Sequence, residues 1–294
     1  MNMAIIANRN SVVLVQGITG REGRYHTEAM LRYGTRVVAG VTPGRGGETV
    51  AGVPVFNSVA EAVKRFPEIN TSIIFVPAPF APDAMYEAID AGIKTLVVIT
   101  EGIPVHDEIK VINYARSKGV IVVGPNCPGV ISPGERVKIG ILPERSFKPG
   151  SIGVVSRSGT LTYEISEALA KAGFGHSTVI GIGGDPVTGL DFIDVVKMFF
   201  EDPETRGVVV IGEIGGDAEE RLADYIRRVG LKKPMIAFIA GKTAPPGKRM
   251  GHAGAIITMG MGSADSKIRA LESVGIPVAV TPMQVASIAQ RVFK

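Results

Sequence analysis

Short apolar runs rich in β-branched residues alternate along this chain with amphipathic stretches of helical length, and no other feature limits the fold as tightly. The runs at 11–17, 36–41, 71–76, 95–100 and 120–124 are almost continuously apolar. A strand with one wet face alternates polar and apolar residues, whereas a continuous run asks for cover on both faces, as in a parallel sheet. Helical periodicity at 21–33, 58–65, 81–91 and 107–118 supplies that cover, which predicts a doubly wound α/β domain. From 125 to 150 the rhythm breaks, with Pro125, Pro128, Pro133, Pro143 and Pro149 interleaved with glycines. This stretch is expected to be an ordered crossing between domains. The rhythm resumes with strands at 151–156, 178–182, 207–212, 234–240 and 277–280. Helices at 160–172, 190–201, 217–229, 263–274 and 282–292 complete a second open parallel α/β domain. The expected division is 1–125 and 126–294.

In such sheets ligands bind beyond the carboxyl ends of the strands, so chemistry is sought there. The first strand ends in Gly17-Ile18-Thr19-Gly20-Arg21-Glu22-Gly23 and runs into a helix, whose first N–H groups and dipole suit a phosphate. The spacing departs from G-x-G-x-x-G. The second strand also lacks the acidic residue that would hold a ribose 2′-OH, ending instead in Gly44-Arg45-Gly46-Gly47. A basic residue there favours a ligand with an extra ribose phosphate, NADP or coenzyme A. Two more strand ends, Val76-Pro77-Ala78-Pro79 and Ile99-Thr100-Glu101, face the same crevice.

In the second domain the first strand ends in Ser156-Arg157-Ser158-Gly159-Thr160 and enters a helix carrying Tyr163 and Glu164. Hydroxyls, a glycine and a helix start form a second phosphate cradle. Another strand ends in Ile211-Gly212-Glu213. After the 234–240 strand comes Gly247-Lys248-Arg249-Met250-Gly251-His252-Ala253-Gly254, where the glycines prevent a regular element. A carboxylate such as Glu213 can accept a histidine Nδ1–H, fix the tautomer and leave Nε2 as a nucleophile. His252 between Glu213 and the helix start at Ser158 therefore suits phosphoryl relay, with the helix dipole stabilising the phosphoryl charge.

Composition narrows the partners. The net charge is +4 with a pI of about 9.1, and no Lys/Arg block reaches the density of a nucleic-acid stripe. The single cysteine, Cys127, excludes an internal disulfide and fits a reducing compartment. No signal peptide, membrane span or metal site is expected. There is no G-x-x-x-x-G-K-[ST] motif and no clear nucleoside-triphosphate site in the sequence.

The blocks at 17–20, 40–47, 75–80, 99–104, 124–129, 155–164, 181–186, 211–216 and 247–255, taken in order, resemble the α subunits of the succinyl-CoA synthetase (succinate–CoA ligase) family over nearly the whole length. The resemblance implies an N-terminal Rossmann-like CoA-binding domain followed by a flavodoxin-like ligase domain. It implies CoA contacts from Thr19, Gly20, Arg21, Glu22, Arg45, Ile99, Thr100 and Glu101. Arg45 keeps the charge of the family's usual lysine. At 21 and 22 many members carry small or amide residues, and there backbone N–H groups would serve. His252 would be transiently phosphorylated, with Glu213 orienting it. Ser158, Gly159 and Thr160 would cradle the phosphate, and Tyr163 would lie near succinate. An ATP-grasp β subunit, in an αβ or α2β2 assembly, would bind the Mg-nucleotide and complete the succinate pocket. The implied setting is the cytoplasm and the tricarboxylic acid cycle. Rival readings are a malate–CoA ligase or an ADP-forming acetyl-CoA synthetase subunit, a non-catalytic CoA-binding protein, and an NADP dehydrogenase. The last gives His252 and Ser158 no role. For Cys127 a small, well-packed residue is preferred to a catalytic thiol.

Overall fold

The computed structural model describes residues 4–245, 247, 250–257 and 262–293. The first half runs β1 (Val12–Gln16), α1 (Arg21–Tyr33), β2 (Arg36–Val41), β3 (Thr49–Val50), β4 (Val53–Phe56), α2 (Val59–Arg65), β5 (Thr71–Ile74), α3 (Ala81–Asp90), β6 (Thr95–Val98), α4 (Val105–Ser117) and β7 (Ile121–Val123). The second half runs β8 (Gly129–Ser132), β9 (Val137–Gly140), β10 (Pro149–Ser156), α5 (Gly159–Lys171), β11 (His176–Gly181), α6 (Phe192–Glu201), β12 (Gly207–Glu213), α7 (Ala218–Val229), β13 (Met235–Ala240), α8 (Ala264–Glu272), β14 (Val278–Ala279) and α9 (Gln284–Val292).

Two seven-stranded sheets result, ordered β3-β4-β2-β1-β5-β6-β7 and β14-β13-β12-β10-β11-β8-β9. Every residue of β1, β5 and β12 is buried, as the unbroken apolar runs require. The helices start and stop by local chemistry. Asp191 and Asp194 form a reciprocal capping box at the start of α6. Gly34, at φ 121°, turns the chain out of α1 and donates to the carbonyls of Met30 and Leu31.

The sheets depart from pure parallel order at their edges. β3 and β4 form a two-residue hairpin, with Ala51 at φ 51° and Gly52 at φ 81°. In the Pro/Gly stretch, β8 and β9 pair antiparallel and add themselves to β11. That segment is thus part of the second sheet as well as a crossing. Four-residue strands split by a Pro-Gly turn leave too little periodicity to be read in advance. Gly129 and Gly140 permit the close pairing, since a Cβ at Gly129 would sit 2.1 Å from the Ile139 carbonyl oxygen.

Each sheet has one position where the connections depart in opposite directions. In the first, β1 lies between β2 and β5. In the second, β10 lies between β11 and β12. The crevice outside the carboxyl end of such a strand is where open α/β sheets bind ligands.

One buried group away from these crevices governs acid stability. His176 opens β11, is fully buried and packs edge-on against Phe147. Burial pushes its imidazole down from the usual 6.5 to about 4. Above pH 6.5 the ring is neutral in both states and adds no pH dependence. As pH falls from 6.5 to 4, the unfolded chain takes up a proton that the folded chain refuses. Stability should therefore drop by about 3 kcal/mol across that window. Urea midpoints of the parent and His176→Leu, measured from pH 7 to 4, should diverge by this amount on acidification. Parallel curves would refute the assignment.

Candidate active site

In the first crevice, Gly17 at φ 79° turns the chain out of β1, and a Cβ there would press on the Phe75 carbonyl at 3.0 Å. At Gly23 a Cβ would sit 2.2 Å from the Gly17 carbonyl oxygen, so α1 packs directly on the loop. Gly20 precedes α1 with no side-chain cap, and the first amides of a helix have no intrahelical acceptor. These N–H groups are therefore available to a phosphate. Thr19 is tied to the residue after β2, its hydroxyl lying 3.1 Å from that of Thr42. Thr100 donates to the Val76 carbonyl at 2.6 Å, while Ile99 is half-buried and Glu101 exposed. Arg21 and Glu22 are exposed on the first turn of α1, with 3.9 Å between their charged groups. Arg45 is exposed and held by Glu48 in a two-point pair, with Nη2 donating at 2.9 Å.

Beside this loop lies a cavity of about 580 Å³, lined by Gly17, Thr42, Pro43, Val76, Pro77 and Phe80 among others. Its walls suit a flat apolar group, and the start of α1 suits the phosphates attached to it. Pro43 and Phe80 went unassigned in the sequence, although both stand at or just beyond strand ends.

In the second crevice, β10 ends at Ser156. The Ser156 hydroxyl donates to the Ser158 carbonyl at 2.9 Å and accepts from the Ser158 amide at 3.1 Å. Ser158 caps α5, accepting the Leu161 N–H at 3.3 Å. Its oxygen caps the helix while its O–H remains a donor, so Ser158 can still face an anion together with the amides of Gly159 and Thr160. Tyr163 lies on the next turn, 36 % exposed.

His252 and Glu213 meet on the same edge. Nδ1 of His252 lies 2.8 Å from Oε2 of Glu213, and among the described residues none bonds Nε2. Nδ1–H then donates to the carboxylate, which fixes the tautomer, and Nε2 keeps its lone pair. Glu213 is buried at the end of β12, and its other oxygen lies 3.6 Å from Nε of Arg157, also buried. Arg157 adjoins Ser158 in sequence. A Cβ at Gly254 would sit 2.9 Å from its Nη2, so this one side chain links the start of α5 to the histidine loop.

The loop docks on glycines. A Cβ at Gly184 would fall 2.3 Å from the Cγ of His252, and one at Gly215 would fall 1.9 Å from the Gly254 carbonyl oxygen. Only a bare Cα permits either approach. Lys248 and Arg249 lie outside the described residues. The Glu213 hydrogen bond is the largest influence on the imidazole and raises its pKa. Burial opposes the shift, the Glu213 charge adds to it, Arg157 lowers it and Asp185 raises it.

Nearby, Asp185 accepts from Asn126 at 3.0 Å. Burial first, then the neighbouring Asp185 carboxyl, push the carboxyl of Glu108 on α4 well above the usual range. Sequence reasoning gave no role to Arg157, Asp185 or Glu108. The first two flank assigned or glycine-rich strand ends, whereas Glu108 sits inside a helix and carried no signal. Cys127 is buried, its thiol 3.2 Å from the Val98 carbonyl and pushed up to about 12 by burial. It is a packed thiol and not a thiolate nucleophile.

Comparison with known proteins gives this geometry a context. The CoA binding domain family matches residues 8–102, and the CoA-ligase family matches residues 155–276. The chain is 57 % identical over 291 residues to succinate–CoA ligase [ADP-forming] subunit alpha 2 of Archaeoglobus fulgidus, covering 99 % of this chain and 100 % of that one. It is 56 % identical to the corresponding alpha subunit of Aquifex aeolicus, covering 99 % and 95 %. Among solved structures, ATP citrate lyase from Methanothrix soehngenii, in complex with citrate and coenzyme A, superposes with a TM-score of 0.86 at 22 % identity. That alignment covers 98 % of this chain and 51 % of the lyase chain, so the present chain spans about half its length and shares its fold. No described helix is long and apolar enough to cross a membrane.

Proposed function

This chain belongs to the succinate–CoA ligase α-subunit family, and from that premise we propose that it relays a phosphoryl group through His252 while holding coenzyme A in its first domain. Residues 1–125 bind the CoA, and 126–294 carry the chemistry. Thr19, Gly20, Arg21 and Glu22 offer the start of α1 to the CoA phosphates. Arg45 supplies a cation once it exchanges Glu48 for a phosphate, and Ile99, Thr100 and Glu101 line the path of the chain toward the second crevice.

A phosphate oxygen attacks the thioester carbonyl of succinyl-CoA. The C–S bond breaks, CoA leaves as the thiolate and takes a proton, and succinyl phosphate remains. Nε2 of His252 then attacks phosphorus, and succinate leaves with the P–O bonding pair. Glu213 balances the positive charge on the phosphorylated ring, while the amides of Gly159 and Thr160 receive the phosphoryl oxygens. Finally a terminal phosphate oxygen of ADP takes the phosphoryl group from nitrogen. These are transfers between groups of similar potential, so positioning and charge stabilisation dominate catalysis. The nucleotide is bound by an ATP-grasp β subunit, which also completes the succinate pocket around Tyr163. The protein works in the cytoplasm.

The 2.8 Å contact between Nδ1 and Glu213 at the carboxyl edge of the second sheet, with Nε2 bonded by none of the described residues, carries this reading. The test mixes the chain with an ATP-grasp partner subunit, labelled ATP, CoA and a panel of succinate, malate and acetate. Succinate should support the fastest ADP formation, and acid-labile, base-stable label should appear on this chain. Preference for another acid would reassign the substrate, and no label under any condition would overturn the relay.

A further inference from the structure

β12 runs two residues past the point where β10 leaves the sheet, because Ser156 pairs with Ile211 and the Arg157 amide closes on the Ile211 carbonyl. On that side the Glu213 N–H has no strand to bond. It donates instead to Oε1 of Glu219 at 3.1 Å. Gly212 makes room for this carboxylate, since a Cβ there would sit 2.4 Å from the same oxygen. Glu219 lies in the first turn of α7 and is fully buried. Its other oxygen pairs with Nζ of Lys267 on α8, which is also fully buried. Nζ donates further to the Gly216 carbonyl at 3.1 Å and to Glu220 at 3.3 Å, so its three hydrogens have three acceptors.

Stability alone gives no reason for this choice, because a well-packed apolar pair of similar volume would hold two helices together as well as a buried ion pair. What the pair adds is direction. It grips the backbone from Glu213 to Gly216 from below, and the histidine loop sits on the same turn. The Gly215 amide donates to the Gly262 carbonyl at 2.8 Å, and the Gly254 carbonyl rests against the Cα of Gly215.

We infer that Glu219 and Lys267 are positioning residues for the relay, fixing the turn that aims the Glu213 carboxylate and seats the His252 loop. Neither touches the imidazole. The inference rests on the proposed phosphohistidine chemistry.

The test is the double variant Glu219→Leu/Lys267→Met, which removes both charges together and leaves neither one buried alone. The assembled complex of this chain with its partner subunit is used throughout. A cooperative melt checks the fold. Labelling of His252 from labelled ATP should be about 100-fold slower than in the parent. Because the Glu213 hydrogen bond raises the imidazole pKa, the His252 titration followed by nitrogen NMR should move down. Absence of label in the parent itself would strike the function and leave the geometry untouched. A parent that labels, beside a folded double variant with the same labelling rate and titration, would overturn the inference. If the double variant does not fold, amide exchange in the parent decides. A Glu213 N–H as protected as the strand interior supports the clamp, and one exchanging like an exposed loop overturns it.

Discussion

Replacing His252 with Asn will leave a folded protein that binds CoA but transfers no phosphoryl group. The asparagine amide lies where Nδ1 lay and can still donate to Glu213, so the buried carboxylate keeps a partner. The histidine side chain is 26 % exposed, and its removal opens no core cavity. What disappears is Nε2, the lone pair that attacks phosphorus. Arg157, the nitrogen-bearing side chain beside Glu213, is no substitute, because a guanidinium offers donors and no acceptor lone pair. Loss of the nucleophile should reduce turnover in both directions by roughly 10⁴-fold or more, or at least about 5.5 kcal/mol of transition-state stabilisation. CoA affinity, measured by calorimetry on the assembled complex, should stay at the parent value because the first crevice is built from other elements. Label on the variant chain, or turnover within 100-fold of the parent, would remove His252 from the mechanism.

The His252–Glu213 pair behind that proposal was legible in the sequence because its surroundings were unusual. A histidine among glycines after a strand has no packing role to explain it, and Glu213 ends a strand where a parallel sheet presents its ligands. The large elements were legible for a related reason. Strands such as β1 and β12 are buried on both faces, and they are apolar up to their last residues, Gln16 and Glu213. What escaped was structure made by very short segments or by pairing at a distance. The β8–β9 hairpin was hidden in a run of prolines and glycines. Arg157 was read as a neighbour of Ser158, and only the fold turns it toward Glu213. Lys267 and Glu219 are 48 residues apart and look like solvated helix charges in sequence, yet both are fully buried. A charge pattern on a helix does not reveal which charges face a second helix.

The second large effect is expected at Glu213, where the geometry separates orientation from mere presence. Glu213→Gln keeps the size and one acceptor oxygen but allows an amide N–H to face Nδ1. The imidazole then carries its proton on Nε2 in part of the population, and that fraction cannot attack. The neutral amide also no longer balances the cationic, phosphorylated ring. Comparable loss of an orienting carboxylate in a nucleophile–His–Asp array costs about 10⁴ in turnover, so a fall of roughly 10² to 10⁴ is expected here. The pH profile distinguishes this from a structural defect. In the parent, Glu213 raises the imidazole pKa, so the acid limb of the labelling rate lies above the ordinary imidazole value. Without the carboxylate that limb should move to lower pH while the plateau drops, a pair of changes that general unfolding cannot produce. The sign for stability follows the same shift. A raised folded-state pKa contributes stability below the unfolded value of 6.5 that is lost as pH rises through the folded value, and the variant should lack that contribution. Removing the charge also leaves Arg157 buried without its counter-ion at 3.6 Å, which should cost about 3 kcal/mol at every pH. Urea midpoints across pH 5 to 9 separate the pH-dependent part from the constant one. A variant with the parent's acid limb and a rate within tenfold would mean that Glu213 only fills space beside the ring.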